Sequence, residues 1–526
     1  MKRKETMKFL AQLERKKLCW LIIIACIFFF FLRLPSIIEP YWYGDEGVYE
    51  VVGQAMDHGR LLYRDVWDNK PPLLYSVYAL SLGDQSAVKV FSIIVGIISI
   101  VFFFLLSQKL FNKPRITFPI TFLYILLLGS PILEGNIANA ENFLLPFTIL
   151  AGLIIYNLSN SPQNETNNPK NSSIFNRKSL IFTAGLLVGV AFLFKIVAVF
   201  DLLAFLIFFV VLKLPENVSF SVYRKAEKNE LGIMSRELWT NFIIPNSLFM
   251  ILGFLLPLFL TTLFFLFNNA LLDFLQTVFF GNISYVGWKN TFFNIPQGLL
   301  ILKGILLIIV LSIIFWKRKL FTKASLFIIL WLVFSLFNVF FSERPYTHYV
   351  IVLLPSFCLL IGLLFASTEK MSRIKILIGI AAVVALLISQ FTFNIKDSYQ
   401  YYPNAIQFLT NKESVKEYQT FFDPHVPRDY MLSEFIIKNT KASDTVFIWG
   451  NSPQIYAMSD KLPPGKYTVA YHIIQNNAFE ETQGAIAESN PKYIIVLQES
   501  APLPFALPLY IMQYTLPGAT IYERSL

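Results

Sequence analysis

Cysteine and histidine are scarce in this chain of 526 residues, which contains three cysteines and four histidines. Cys19, Cys26 and Cys358 all fall inside or at the edge of apolar segments, where a thiol packs as a small hydrophobe. Their positions offer neither a disulfide framework nor the spacing of metal ligands, and the histidines are too scattered to predict a zinc site. We therefore expect neither redox chemistry nor a zinc centre.

Charged residues are also few. Asp, Glu, Lys and Arg make up 15% of the chain, whereas hydrophobic residues make up 55% and phenylalanine alone contributes 53 residues. A soluble globule could not hide so much apolar surface, so membrane lipids are the expected surroundings. The formal net charge is +10, but the basic clusters alternate with apolar runs, which argues against nucleic acid as a partner.

Apolar runs that reach or approach the roughly 20 residues needed to cross a bilayer recur as far as Phe391. We predict eleven transmembrane helices. They are Leu18–Ile38, Ala87–Phe111, Ile116–Leu133, Phe143–Leu158, two short helices within Leu180–Leu212, Phe242–Phe267, Leu299–Trp316, Leu326–Phe341, Val350–Phe365 and Ile374–Phe391. The pair within 180–212 should turn near Lys195, because that stretch is too long for one upright helix and this charge interrupts it. The first run is long for a signal peptide and no small-residue cleavage site follows it, so we expect it to be retained.

The distribution of Lys and Arg predicts the orientation of these helices. Basic residues cluster at the N-terminus and in five gaps, 109–115, 170–178, 213–236, 317–323 and 370–375. With eleven spans these clusters all lie on one side, which the positive-inside rule assigns to the cytoplasm. The gaps 39–70, 134–141, 273–297 and 342–349, together with Lys195, then face outward.

Beyond Asn394 the composition becomes that of a soluble module of about 130 residues. Its apolar runs Asp444–Gly450 and Pro491–Leu497 are short and β-branched, and a helix-like stretch, Ala478–Glu488, lies between them. We predict a transmembrane domain, residues 1–392, followed by a small extracytoplasmic α/β domain, residues 393–526.

The first outer gap holds most of the candidate functional residues. It contains Tyr41-Trp-Tyr-Gly-Asp45-Glu46-Gly-Val-Tyr49, then Gly53, and later Asp68-Asn-Lys70-Pro-Pro72. A helical pattern begins after Gly44, so Asp45, Tyr49 and Gly53 should share one face. From these residues alone, an acidic pair favoured by a helix dipole is an equal alternative to a catalytic pair.

The gap resembles the first external loop of bacterial relatives of the protein O-mannosyltransferases and the lipid A aminoarabinose transferases, in the GT-C superfamily. The shared features are the Asp45-Glu46 pair after the first span, a Tyr four residues later, a Gly-rich turn, and an acidic residue two before a basic residue and prolines. Eukaryotic mannosyltransferases carry His where this chain has Lys70, and the Trp-Trp-Asp-Tyr-Gly signature of oligosaccharyltransferases is absent. The resemblance covers the membrane region and is strongest between Asp45 and Glu141.

This resemblance implies an α-helical polytopic GT-C fold with interfacial helices in the first outer loop. We expect the protein in the bacterial inner membrane, although the same orientation would place the site in a eukaryotic lumen. It also implies inverting transfer of a sugar from a polyprenyl-phosphate donor to an acceptor hydroxyl, which could belong to a lipid, a glycan or a protein. Asp45 is the implied catalytic base, with Glu46 beside it. No cofactor is required, although Asp45 and Glu141 could share a divalent cation.

The chemistry of such a transfer points to further residues. An attacking hydroxyl must lose a proton to a carboxylate, and a departing lipid phosphate needs cationic cover. Lys70, Lys195 and Arg344 are the candidate phosphate-binding residues. Lys195 lies in the apolar segment Ala191–Ala198, where a charge indicates function, snorkelling to the interface being the alternative. Asp201 is its candidate partner.

Further site candidates lie around the outer gaps. They are Tyr49, Asp68, Glu141, Tyr346 and His348. A helix start also explains Glu141, and an interfacial aromatic belt also explains Tyr346. The alternative function is a transporter or flippase of lipid-linked sugars, which should show paired hydropathy repeats. The sequence shows none.

Overall fold

The computed structural model describes residues 2–160, 172–213, 244–282, 291–292, 295–296 and 298–525. Helices account for most of this structure. The helices up to residue 390 are α1 (Lys2–Arg33), α2 (Gly44–Asp57), α3 (Pro72–Leu80), α4 (Gln85–Phe111), α5 (Pro114–Gly129), α6 (Ala140–Asn160), α7 (Ser172–Phe194), α8 (Val199–Lys213), α9 (Ile244–Phe267), α10 (Leu271–Leu275), α11 (Gly298–Trp316), α12 (Lys323–Val339), α13 (Leu354–Ala366) and α14 (Lys370–Gln390). Two strands of two residues each, β1 (Thr291–Phe292) and β2 (Ile295–Pro296), pair antiparallel.

Eight segments within the described residues are helical, long and apolar enough to cross a membrane. They are Leu18–Ile38, Gln85–Phe111, Ala140–Asn160, Arg177–Phe194, Ile244–Phe267, Leu299–Trp316, Thr347–Ala366 and Lys370–Gln390. The other three predicted spans correspond to shorter apolar helices, Pro114–Gly129, Ile196–Leu212 and Lys323–Val339. The chain is therefore an integral multi-pass membrane protein with an α-helical membrane part, as predicted.

The sidedness of the gaps stays a prediction. The basic segments 170–178 and 213–236 and the outer gap 273–297 lie wholly or partly outside the described residues. A short apolar helix, Leu271–Phe280, occupies the beginning of that outer gap.

The predicted break at Lys195 is confirmed. α7 ends at Phe194, Lys195 has an extended backbone (φ −154°, ψ 126°), and a 3₁₀ turn leads into α8. The prediction that both helices of this pair are short is wrong for α7, which has 23 residues. Its first turns precede the apolar run, so hydrophobicity alone placed its start too late.

Small residues let α7 and α9 pack closely. A Cβ added at Gly185 would lie 1.9 Å from the Met250 carbonyl oxygen, and one added at Gly253 would lie 2.1 Å from the Phe182 carbonyl oxygen. Small residues such as glycine allow the backbones of two helices to approach each other closely in a membrane. The contact fixes α7, whose carboxyl end leads into Lys195.

The first outer loop contains two helices, α2 and α3, that pack against each other. A Cβ added at Gly53 on α2 would lie 2.8 Å from the Ala79 nitrogen on α3, so glycine is needed for this approach. The ring of Tyr49 packs edge-on against Tyr75 and Tyr78, with centroids 5.9 and 5.5 Å away. This packing holds the start of α2 in place.

Beyond residue 394 the chain forms a small α/β unit. Its elements are α15 (Ile395–Leu409), α16 (Val415–Phe422), α17 (Val426–Asn439), β3 (Val446–Trp449), α18 (Gln454–Ser459), α19 (Ala470–Gln475), α20 (Phe479–Ser489), β4 (Tyr493–Leu497), β5 (Tyr510–Leu516) and β6 (Ala519–Arg524). The sheet order is β3-β4-β6-β5, with β3 and β4 parallel and the other pairs antiparallel. The α/β class and both predicted strands are confirmed, whereas β5 and β6 were not predicted. The domain boundary at residue 392 stays a prediction.

The α/β unit lies against the first outer loop. Gln454 Nε2 donates to the Trp42 carbonyl at 2.8 Å, and the Trp67 N–H donates to the Lys466 carbonyl at 2.8 Å. A Cβ added at Gly47 on α2 would lie 3.0 Å from the Gln454 nitrogen. The loop that carries Asp45 is therefore packed between the membrane helices and this unit.

Candidate active site

Asp45 lies in the first turn of α2, with its side chain 37% exposed. The Tyr49 hydroxyl, one helical turn later, donates to Asp45 Oδ2 at 3.1 Å, as the predicted shared face requires. Lys70 Nζ lies 3.6 Å from the same oxygen and 5.1 Å from the centroid of the Tyr49 ring. A carboxylate, a hydroxyl and an ammonium group thus meet at the start of α2.

The ionised form of Asp45 is favoured in this setting. Desolvation by itself would raise the pKa of Asp45, but the charge of Lys70, then that of His348, and the Tyr49 hydrogen bond outweigh it and lower the pKa. A carboxylate that stays deprotonated at neutral pH can accept a proton.

Asp68 is buried on the other side of Lys70. Its Oδ2 accepts a hydrogen bond from the Tyr75 hydroxyl at 2.7 Å and lies 4.0 Å from Lys70 Nζ. Lys70 therefore lies within 4.0 Å of two carboxylates, and the hydrogen bond from Tyr75 to Asp68 anchors the loop that carries it. Asp68 and Lys70 are the acidic and basic residues, two positions apart, that the sequence analysis grouped in one motif.

Lys195 forms an ion pair with Glu141, the first-turn carboxylate of α6, and its ammonium lies 3.9 Å from the centroid of the Tyr349 ring. The structure thus brings these two predicted site residues together. The predicted pairing of Lys195 with Asp201 is wrong: Asp201 accepts from Trp331 Nε1 at 2.6 Å instead. The extended residue at 195 turns the lysine towards α6, whereas Asp201 on α8 faces α12.

A single cavity is lined by Lys70, Lys195 and Glu141. Both lysines therefore line the same cavity, whose other walls include apolar side chains and side-chain amides. The remaining lining residues are Asn69, Pro71, Ile196, Val197, Asn282, Asn338, Phe341, Ser342, Tyr349 and Val352. Such a site can accept an anionic group attached to an apolar chain.

A second polar cluster adjoins this cavity and centres on Glu134. Its carboxylate accepts hydrogen bonds from the Tyr43 hydroxyl at 2.6 Å and from Thr347 Oγ1 at 2.7 Å, and it lies 2.7 Å from His348 Nδ1. His348 Nε2 is 3.9 Å from Glu141. His348 therefore bridges two carboxylates, and Glu134 is a site residue that the sequence analysis did not single out, although it opens the acidic second gap.

The pKa of Glu134 follows from these contacts. Burial would raise the pKa of Glu134, but the hydrogen bond and charge of His348, with the Tyr43 and Thr347 hydroxyls, lower it overall. Glu134 also has a left-handed backbone (φ 55°), which turns the chain between α5 and α6. The turn places its carboxylate beneath Tyr43 of the first loop.

Tyr346 and Arg344 lie in the segment that precedes this histidine. The Tyr346 side chain is 42% exposed and its ring stacks on that of His348, with centroids 5.7 Å apart. Arg344 is partly buried and does not belong to the lining of the cavity that holds the two lysines. The neighbouring Glu343 forms an ion pair with Lys303, whose Nζ lies 2.6 Å from Glu343 Oε1.

Glu46 faces away from Asp45 into a buried network. Its carboxylate accepts from Lys89 Nζ at 2.8 Å and from the Ala138 N–H at 2.6 Å. Lys89 also donates to the Asn136 carbonyl at 3.0 Å and lies 3.4 Å from Glu39. Burial raises the pKa of Glu46, and the nearby Glu39 charge adds to this rise, while Lys89 opposes it. Glu46 thus ties α2 to α4 and to the second outer gap.

Among the described residues, no group of three or more His, Cys, Asp or Glu side chains is placed to hold a metal ion. Asp45 and Glu141 each have a lysine as a close neighbour. A divalent cation shared by these two carboxylates stays a prediction.

Comparison with known proteins gives a match at the level of fold. No family model and no curated protein sequence matches the chain. The structure of ArnT from Cupriavidus metallidurans bound to undecaprenyl phosphate is 12% identical and has a TM-score of 0.54, with 96% of this chain and 98% of that chain covered. The apo structure of that ArnT is 13% identical, with a TM-score of 0.51 and coverage of 97% and 98%.

The oligosaccharyltransferase of Archaeoglobus fulgidus in its apo form is also similar. It is 13% identical, with a TM-score of 0.48 and coverage of 91% of this chain and 69% of that chain. ArnT is a GT-C glycosyltransferase, and its structures match this chain over nearly their whole length. The chain therefore has the GT-C fold, as predicted from its first outer loop.

Proposed function

We propose that this protein is a membrane glycosyltransferase that moves one sugar from a polyprenyl-phosphate carrier to an acceptor hydroxyl on the outer face of the membrane. The observation that carries this proposal is the placement of Asp45 and Lys70, 3.6 Å apart, beside a cavity that Lys195 also lines. The GT-C fold supports it, since ArnT, which shares that fold, has been captured with undecaprenyl phosphate.

Asp45 is the proposed catalytic base. The acceptor oxygen attacks the anomeric carbon and forms the new glycosidic bond while the bond from that carbon to the phosphate oxygen breaks. The acceptor proton passes to Asp45, whose lowered pKa keeps it ionised beforehand. A single displacement of this kind inverts the anomeric configuration.

Lys70 and Lys195 are the proposed phosphate-binding residues. The leaving group is a polyprenyl phosphate, an anion that needs cations more than it needs a proton donor. In the free site these cations are neutralised by Asp45 and Glu141. A phosphate between them would draw Lys70 from Asp45 and leave that carboxylate available to the acceptor. We assign Arg344 and His348 no step.

Glu46 and Asp68 are proposed to position the two reacting groups. Glu46 fixes the start of α2 through Lys89, and Asp68 fixes the loop of Lys70 through Tyr75. Neither carboxylate is placed to receive the acceptor proton, because each is buried and already hydrogen-bonded.

The test is an assay of the purified protein in liposomes with a panel of radiolabelled polyprenyl-phosphate sugars. We expect the label to leave one donor and to appear in a product when acceptors of the three classes are supplied. Asp45→Asn should reduce this transfer about 10²–10⁴-fold, whereas Asp65→Asn should leave it unchanged. Asp65 is a suitable control because it lies in the same loop, is similarly exposed, and pairs with Arg64.

A transporter of lipid-linked sugars would behave differently in the same liposomes. It would move the labelled lipid between the two leaflets without transferring the sugar, and Asp45→Asn would leave this movement unchanged. That result would overturn the proposed function.

A further inference from the structure

The segment that follows α10 lies against the loop of Lys70. It contains a π turn, Gln276–Phe280, a form of helix that is frequent at functional sites. Thr277 Oγ1 in this turn accepts a hydrogen bond from Trp67 Nε1 at 3.2 Å. Asn282, two residues after the turn, lines the same cavity as Lys70. This segment therefore both contacts the loop and forms part of the cavity wall.

The amide of Asn282 holds the backbone beside Lys70. Asn282 Nδ2 donates to the Asn69 carbonyl at 3.0 Å and to the Val278 carbonyl at 2.8 Å. A side-chain amide has two hydrogens to donate, so these bonds leave none for a phosphate oxygen. The backbone N–H of Lys70 donates to the Tyr75 hydroxyl at 3.0 Å. The peptide that carries Lys70 is thus held by α3 and by the segment after α10.

Asn338 has the same relation to Lys195. It is buried in the last turn of α12 and lines the same cavity. Its Nδ2 donates at 3.3 Å to the carbonyl of Val197, which lies in the 3₁₀ turn that follows Lys195. The bond therefore ties the break between α7 and α8 to α12.

We propose that Asn282 and Asn338 are positioning residues that hold Lys70 and Lys195 at the separation one phosphate requires. The inference rests on the proposed function and adds two residues that pre-organise its phosphate site. Each asparagine bonds a carbonyl within two residues of its lysine, and all four side chains line one cavity. A lysine ammonium is carried on a flexible stem, so fixing its backbone lowers the cost of bringing it to the phosphate.

The test measures binding of undecaprenyl phosphate to the full-length protein, with undecaprenol as the lipid that lacks the phosphate. Asn282→Ala and Asn338→Ala should each raise the Kd for undecaprenyl phosphate about three- to tenfold and leave the Kd for undecaprenol within about twofold. An equal loss of affinity for both lipids would show that the substitutions disturb the apolar walls, and it would overturn the assignment.

Double variants test whether each asparagine acts through its own lysine. Asn282→Ala should raise the Kd for undecaprenyl phosphate in a Lys195→Met background as it does in wild type, but it should add little in a Lys70→Met background. The pattern should be reversed for Asn338→Ala. Equal effects of Asn282→Ala in both backgrounds would show that it does not act through Lys70, and would overturn its assignment as a positioning residue.

Asn268→Ala is the matched control. Asn268 Nδ2 also donates to a backbone carbonyl, that of Phe264 at 2.8 Å, but this residue does not belong to the cavity lining. The variant should bind undecaprenyl phosphate as wild type does. An unchanged Kd in both Asn282→Ala and Asn338→Ala would overturn the inference and leave the proposed function intact. A wild-type protein that binds undecaprenyl phosphate no more tightly than undecaprenol would overturn the proposed phosphate site as well.

Discussion

At the scale of single residues, the site depends on how Lys70 is shared. The lysine lies 3.6 Å from Asp45 and 4.0 Å from Asp68, and it is one of two cations on the cavity wall. Its charge is the largest of the effects that lower the pKa of Asp45, and it opposes a desolvation effect that is larger still. The proposal therefore gives Lys70 two roles, which are to bind the phosphate and to keep Asp45 ionised.

This arrangement predicts a specific pH dependence. In wild type, the acid limb that reports Asp45 should lie below the ordinary aspartate pKa of about 3.9, so transfer should not fall between pH 7 and pH 5 on this account. Lys70→Met removes the cation that opposes the effect of desolvation on Asp45. The pKa of Asp45 should therefore rise, and the acid limb should move to higher pH. Measurement of kcat/KM from pH 4.5 to pH 8 checks this shift, because wild type should show no acid limb in that range and the acid limb of Lys70→Met should enter it.

Lys70→Arg serves as the control for that experiment. It keeps the positive charge, so its acid limb should stay with that of wild type even where the rate itself falls. Superimposable pH profiles of Lys70→Met and wild type over this range would show that Lys70 does not set the protonation of the base.

Some of these residue contacts were predictable and others were not. The Tyr49 to Asp45 hydrogen bond joins residues four apart on one helix, a spacing that the sequence displays directly. The Lys195 to Glu141 pair joins residues on different elements, and sequence proximity led instead to Asp201, which was wrong. A charge in an apolar run indicates that a partner exists but not where the turn will aim the side chain.

At the scale of elements, a buried ion network joins α2, α4 and the turn before α6. Lys89 on α4 contacts Glu46 and Glu39, and its third contact is the Asn136 carbonyl. The side chains of Lys89, Glu46 and Glu39 are almost fully buried. Breaking such a network leaves charges without compensation inside the protein.

We therefore predict that Lys89→Met lowers the free energy of unfolding by about 3–5 kcal/mol. The double variant Lys89→Met with Glu46→Gln should recover part of this loss, because a neutral amide needs no cation. Lys438→Met, which removes an exposed pair with Glu434, should cost no more than about 1 kcal/mol. Unfolding midpoints in detergent provide the measurement, and equal midpoints for Lys89→Met and Lys438→Met would contradict the role given to the network.

The helices themselves were largely predictable, because hydrophobicity is a local property. All eleven apolar segments are helical, and the break at Lys195 is in the predicted place. The network of Lys89 could not be predicted in the same way, since this lysine lies near the start of a long apolar run and only tertiary packing shows its partners. The start of α7 was missed because its first turns are polar.

At the scale of the whole molecule, the C-terminal unit holds the first outer loop against the membrane helices. Gln454 bonds to Trp42, and Tyr401 of α15 donates to Glu39 at 2.5 Å. Gly47 allows α2 to approach α18 closely. The composition change near residue 394 predicted an α/β unit, but nothing in its sequence showed that it would contact the loop that carries Asp45.

Gly47→Leu should therefore separate the unit from α2 and reduce transfer by about tenfold or more, because small displacements of catalytic groups are costly. The matched control is Gly484→Leu, since a Cβ at Gly484 on α20 meets no atom within 4 Å. Limited proteolysis should release the C-terminal unit faster from Gly47→Leu than from wild type. Normal transfer and normal proteolysis in Gly47→Leu would show that this contact does not hold the loop.

The central claim, that Asp45 is the base of a lipid-linked sugar transfer, is tested most directly by the kinetics of Asp45→Asn beside Asp65→Asn. Asparagine keeps the shape of the side chain and cannot take the acceptor proton, so kcat should fall about 10²–10⁴-fold while the donor KM changes little. Asp65→Asn should retain the wild-type rate. Transfer by Asp45→Asn at the wild-type rate would contradict the account.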